Sequence, residues 1–380
     1  MNILVINPMI YTAPPKGAPI SRRKSIADSM ICNFCQGFVA NGHNVTLIAS
    51  EEYRPIEEET FDFEIVYLEN SIAKYIPKFP HGLPVLNGLR KYLKQNRAKY
   101  DIVISSELFT FHSITAARVC PEKLMIWQEF GHHHIFFHEI PSRIWHNTTV
   151  RLFIKKRVVV VPRSSVAGKF ARRYCDIVSD EVVNNSVDTR IFRYNAEKDN
   201  FLIVVSRLVP GKNIHYIIEK YIHYIKKYKS EMRLLIIGDG PERIALERYI
   251  QTNGFADRIT FTGWVRHRDF ADLLSRATGF LCCTIRELNM ISITEALACG
   301  TPVLTNRVPL QREMIAEYGL GIVKGDWTED DIHKLVENSP EYVRNCKAVC
   351  GSFSSIEAAA SMIRIFRKFR RVESIKQDEG

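Results

Sequence analysis

The sequence predicts an α/β chain folded as two doubly wound parallel sheets, each with helices on both faces. Three observations predict it. Short β-branched runs alternate with amphipathic stretches from end to end, the mark of βα units. The 380 residues exceed what one hydrophobic core usually supports, and 46% apolar residues are enough for two. A polar stretch at Arg193–Asn200 divides the runs into two sets and reads as a hinge.

Strand candidates in the first half are Ile3–Ile6, Val45–Ala49, Ile65–Leu68, Ile102–Ser105, Leu124–Trp127, Val158–Val161 and Val182–Asn184. In the second half they are Leu202–Ser206, Leu234–Ile237, Ile259–Thr262, Phe280–Cys283, Val303–Thr305 and Ile322–Lys324. The expected division is 1–190 for one Rossmann-like domain, 191–352 for a second, and 353–380 for a C-terminal helix followed by a polar tail. Ligands of such sheets bind beyond the carboxyl ends of the strands, so residues just after strands are the ones to inspect.

Met1–Ile10 is apolar but has no charged leader and no small-residue cleavage site, so it reads as a strand rather than a signal. No run of about 18 apolar residues offers a membrane span. Nine scattered cysteines, an odd number, suit a reducing compartment and hence the cytoplasm. Cys32 and Cys35 form a CxxC with no second pair, and read as helix packing. The net charge of +10 favours anionic partners. It is spread as +6 through Arg190 and +4 beyond, with no basic tail, which argues against nucleic acid.

The chemistry concentrates in the second half. After its first strand come Arg207 and Lys212, five positions apart across a Pro-Gly turn, a spacing that can aim two cations at one anion. Phe280–Cys283 leads through Glu287 into a helix carrying Met290, Ile291, Ser292 and Glu295, closed by Gly300. The N–H groups of that helix start make a phosphate site. Two carboxylates flanking it suit a ligand with hydroxyls at both ends and phosphates between.

This stretch resembles the E-x7-E motif of glycosyltransferase family 4, retaining enzymes of the GT-B fold. Arg207 and Lys212 fall on the family's Arg-x4-Lys pair. Gly238-Asp239-Gly240-Pro241 is similar to its G-x-G-P turn, and Phe261-Thr262-Gly263-Trp264 to its F-x-G-x turn near the nucleoside. Asn185-Ser186-Val187-Asp188 matches its N-G-V-D segment, and Phe353-Ser354-Ser355-Ile356-Glu357 the start of its final helix, which crosses back onto the first domain. The chain departs at Leu288-Asn289-Met290, where the family has Gly-Phe-Gly, and at Val308-Pro309, where paired glycines are common.

The resemblance implies two Rossmann-like domains facing across a cleft, an N-terminal acceptor-side domain and a C-terminal nucleotide-sugar-binding one. It implies no cofactor and no metal: the co-substrate is a UDP- or GDP-linked hexose-type sugar, and the acceptor a glycan or a lipid-linked sugar. Arg207 and Lys212 would hold the diphosphate, Glu287 the transferred sugar and Glu295 the ribose. Gly238, Gly263, Met290, Ile291 and Ser292 would complete the donor site. Of the family's Gly-rich loop after the first strand only Gly17 carries over.

In the first half, the family's His at the fifth strand end falls among His132, His133 and His134, with His132 taken as the catalytic candidate and Glu129 as an alternative. Ser164 matches the small polar residue ending the next strand. A zinc reading of the histidines fails on geometry, since adjacent residues do not readily converge on one ion. Arg22-Arg23-Lys24 reads either as an anion contact or as a solvated helix start. Val85, Leu89, Tyr92 and Leu93 recur at helical spacing, with Arg90, Lys91, Lys94 and Arg97 on other faces. Such a helix either packs on its sheet or makes peripheral contact with an anionic membrane on its inner face. Beside the transferase reading stand an epimerase or hydrolase on the same fold and an inactive nucleotide-sugar-binding partner.

Overall fold

The computed structural model describes residues 1–11, 20, 22–27, 29–72, 83–134, 138–285 and 290–378. They form two units, Met1–Ser186 with Ser355–Gly380, and Val187–Ser354.

Unit 1 is a six-stranded parallel sheet: β1 (Asn2–Ile6), β2 (Asn44–Ser50), β3 (Glu64–Leu68), β4 (Ile102–Ser106), β5 (Leu124–Gln128) and β6 (Val159–Pro162), in the order β3-β2-β1-β4-β5-β6. The β-branched runs are buried on both faces, as parallel sheets require. Ile3 and Val5 enter one core, and Leu4 and Ile6 the other. Helices α1 (Met30–Ala40), α2 (Leu89–Asn96), α3 (Phe111–Val119), α4 (Ile140–Trp145) and α5 (Ser165–Ala171) cover the two faces. Cys32 and Cys35 lie buried in the core beside α1 and form no disulfide.

Unit 2 repeats the design with β7 (Asp199–Val205), β8 (Arg233–Ile237), β9 (Ile259–Gly263), β10 (Ala277–Cys282), β11 (Val303–Thr305) and β12 (Gly321–Val323), in the order β12-β11-β10-β7-β8-β9. Its helices are α6 (Ile214–Tyr228), α7 (Arg243–Thr252), α8 (His267–Arg276), α9 (Ile291–Ala298), α10 (Arg312–Glu317), α11 (Glu329–Glu337) and α12 (Ser339–Val349). In each sheet the strand order reverses beside the first strand, at β1/β4 and at β7/β10, which is where such sheets open a crevice for ligands.

The last helix, α13 (Ser355–Asp378), belongs to unit 1 and packs beside α1. Ala359, Met362 and Ile365 are buried there with Phe34 and Phe38. Gly37 makes the approach possible: a Cβ there would stand 2.0 Å from the Ser355 carbonyl oxygen.

Four expectations are corrected. Val182–Asn184 is not a strand: the edge of β6 is already taken at Val160, which bonds Ile177 and Ser179 across its bridge to Val178, and Val183 adds one bond, its N–H to Pro162 O. The units divide between Ser186 and Val187, ahead of Arg190. Arg193–Asn200 is no hinge. Within it half-buried Lys198 donates to Ser275 O, Cys299 O and Thr301 Oγ1, and Asp199 opens β7. Helix α13 continues to Asp378 where a polar tail was expected.

Candidate active site

In unit 2, β7 ends at Val205 and the chain turns through Arg207 into a short 3-10 turn, Pro210–Lys212. Pro210 suits that first position because its missing N–H would be unused there. Asn213 closes the turn in the left-handed region, φ 53°. The loop after β10 is tied to this turn: Thr284 Oγ1 donates to Gly211 O (3.1 Å), as does the Ile285 N–H (2.9 Å). Asn306, after β11, donates to Thr284 O (2.7 Å). The three strand ends flanking the switch point are thus laced into one rim.

Arg207 is exposed, whereas Lys212 is only 9% exposed. Burial lowers the Lys212 pKa to about 8, against the raising effect of Cys282 and with help from the like charge of Arg207. The two cations therefore feel each other, as a shared anion site requires. The G-x-G-P turn presses against the same loop. A Cβ on Gly238, φ 133°, would stand 1.9 Å from Ser206 O, and the Gly238 N–H donates to Gly263 O.

Helix α9 begins at Ile291 after a buried Met290 whose carbonyl is held by Gln311 Nε2 (3.0 Å). Its start has no side-chain cap and no acidic residue in the first turn. Ile291 and Ser292 are partly exposed there, and first-turn N–H groups lack intrahelical acceptors. Glu295 lies one turn further on and is buried, 3% exposed. Glu287 and Gly17 lie outside the described residues.

In unit 1 the three histidines separate. His133 is spoken for: it is buried, with Nε2 at 3.0 Å from Tyr174 Oη and Nδ1 at 3.3 Å from Ser142 Oγ. His134 packs against Phe109, and His132 is exposed beside Phe130. Glu129, directly at the end of β5, pairs with Arg163 (2.8 Å). Ser164 caps α5, accepting the Ala167 N–H. Arg22 meets Glu51 and Arg23 lies over Tyr11, and α1 starts only at Met30, so the triplet is not a helix start. Leu89 and Leu93 of α2 are buried, leaving Arg90, Lys91 and Lys94 outward.

Thr284, Asn306 and Gln311 were not singled out in the sequence. Neither were Glu107 and Arg163, although each directly follows a strand, the signal that finds them. Among the described residues no group of three or more His, Cys, Asp or Glu is placed to hold a metal ion, and no helix is long and apolar enough to cross a membrane.

Two family models match the chain. "Glycosyltransferase Family 4" matches residues 27–191 and "Glycosyl transferases group 1" residues 187–348. A human relative, one of the subunits of phosphatidylinositol N-acetylglucosaminyltransferase, is 23% identical over 91% of this chain and 70% of its own length. The O-antigen chain mannosyltransferase RfbU of Salmonella typhimurium is 26% identical over 49% of this chain and 52% of its own length. Among solved structures, Anabaena HepE in complex with UDP superposes with a TM-score of 0.63 at 14% identity, over 97% of this chain and 100% of that one. WaaG, a glycosyltransferase involved in lipopolysaccharide biosynthesis, gives a TM-score of 0.59 at 14% identity over 95% and 99%.

Proposed function

Because the chain belongs to glycosyltransferase family 4 and has the GT-B fold, we propose that it transfers a hexose-type sugar, with retention, from a UDP- or GDP-linked donor to a glycan or lipid-linked acceptor. One observation carries the reading. The loop carrying exposed Arg207 and buried Lys212 after β7 is tied through Gly211 to the chain leaving β10, which leads on to the uncapped start of α9.

A diphosphate satisfies all of these groups. It accepts from the two cations and the N–H groups of Ile291 and Ser292, and as it departs its growing charge is taken up without a metal. Glu295 then holds the ribose and Glu287 the transferred sugar. The acceptor hydroxyl attacks on the face the diphosphate leaves, and a donor phosphate oxygen takes its proton, so no separate base is needed. The lipid in the human relative's name supports a lipid-linked acceptor. Arg90, Lys91 and Lys94 would bring the chain to an anionic membrane by charge alone, the apolar side of α2 being used in the core.

Replacing Glu295 by Ala tests this. Transfer is expected to fall by roughly a hundredfold while the thermal transition stays near that of the wild type. Near-full activity would overturn the proposed donor site.

A further inference from the structure

The chain leaving β11 reaches back to both parts of the proposed diphosphate site. Asn306 Nδ2 donates to Thr284 O (2.7 Å), 22 positions earlier, and Gln311 Nε2 donates to Met290 O (3.0 Å), 21 positions earlier. Thr284 grips the cation turn, and Met290 is the residue from which α9 starts. One short loop, 306–311, therefore holds both.

The grip on the turn is close on either side of Lys212. Before it, the Gly211 carbonyl accepts from Thr284 Oγ1 (3.1 Å) and from the Ile285 N–H (2.9 Å). After it, Asn213, in left-handed backbone at φ 53°, donates Nδ2 to Cys283 Sγ (3.6 Å). The Lys212 N–H itself goes to Val209 O (2.9 Å). Three consecutive residues after β10 thus fix the backbone around the lysine. Thr284 is 1% exposed, a place where an unmade hydrogen bond is costly.

The loop after β11 is itself stiff. Asn306 Oδ1 accepts the Val308 N–H (3.5 Å), and Arg312 donates Nη1 to Arg307 O (2.6 Å) and its N–H to Pro309 O (3.2 Å). The Pro309 ring fixes its own φ. Val308 and Pro309 stand where paired glycines would leave the backbone freer. Bonds that only closed the sheet edge would join strand ends in pairs. These run from β11 across β10 to β7, three adjacent strands, and fork to the helix start as well.

We propose that loop 306–311 is the spacer of the diphosphate site. Asn306, through Thr284, and Gln311, through Met290, are positioning residues that hold the cation turn and the start of α9 at the span of two linked phosphates. A diphosphate fills both holds and a monophosphate fills one, so the loop selects the diphosphate by pre-organisation without touching it. This rests on the donor site proposed above, and adds what sets its selectivity.

The experiment is calorimetric titration of the full chain with UDP, GDP, UMP and GMP. Wild type is expected to bind one diphosphate more tightly than its monophosphate. Thr284→Val, which keeps the shape and loses the hydroxyl, should weaken the diphosphate by roughly tenfold and leave the monophosphate unchanged. Thr284→Ser should restore most of the loss. Asn306→Ala, at a half-buried position, cuts the same tie one bond further out. It serves if Thr284→Val fails to fold, and it should lower the same ratio, as should Gln311→Leu from the other arm. Equal losses for both nucleotides, or wild-type diphosphate binding in all of these variants, would overturn the proposal. Wild type that binds neither diphosphate would instead remove the donor site on which it rests.

Discussion

The two units share one topology and differ in the chemistry of their strand ends. Each has six parallel strands whose order reverses beside the first. After β7 in unit 2 come an exposed arginine and a buried lysine, with a glycine pressed against the Ser206 carbonyl, and the helix that follows β10 starts without a side-chain cap. The edge of unit 1 gathers two carboxylates around one buried arginine. The first set suits an anion, whereas in the second the cation is already held by an acid. The fold supplies the place, and the residues after each strand decide what is read there.

Breaking the anion side should have the largest effect. Lys212→Ala is expected to lower kcat by roughly a hundred- to a thousandfold, measured as transfer with a UDP or GDP sugar. Comparable loss in Glu129→Gln with Lys212→Ala near full activity would reverse the assignment of the two edges. Next comes Gly238→Val in unit 2. A side chain there meets both the Ser206 carbonyl and a φ of 133°, so a loss of about 3–5 kcal/mol is expected in denaturant unfolding.

A smaller effect separates the carboxylates of unit 1. Burial, opposed by the Arg163 charge and reinforced by Glu129, raises the Glu107 pKa to about 7. An acid with a raised folded-state pKa favours the native state most at low pH, and that contribution fades as pH climbs from about 4.5 to about 7. Relative to wild type, Glu107→Gln should therefore look better at pH 8 than at pH 4.5, by up to about 3 kcal/mol. Parallel melting curves for the two proteins across that range check the sign. The smallest effect belongs to α2. Lys91→Gln should cost about 1 kcal/mol in partition onto anionic vesicles and leave transfer to a water-soluble acceptor unchanged.

Strand content was legible because parallel strands buried on both faces are β-branched throughout, and twelve of the thirteen candidate runs overlap observed strands. Val182–Asn184 has the same composition but meets a sheet edge already in use, a fact set by tertiary contacts. Arg207 and Lys212 share one short loop after β7, a placement their spacing already implies. Glu107 was not legible: it works through backbone N–H groups more than twenty positions away, and only the pairing of β4 with β5 brings them together. The histidine run attracted notice by its density, yet His133 proved to be a core group because Tyr174 and Ser142 arrive from other elements.

Calorimetric titration with UDP and GDP and their monophosphates, at pH 7 and pH 9.5, tests the diphosphate site most directly. Lys212, with its pKa lowered to about 8, loses its proton across that interval. Diphosphate affinity should therefore fall, approaching tenfold per pH unit above about 8, and Lys212→Arg should abolish the fall. Binding that ignores both pH and Lys212, or prefers the monophosphates, would contradict it.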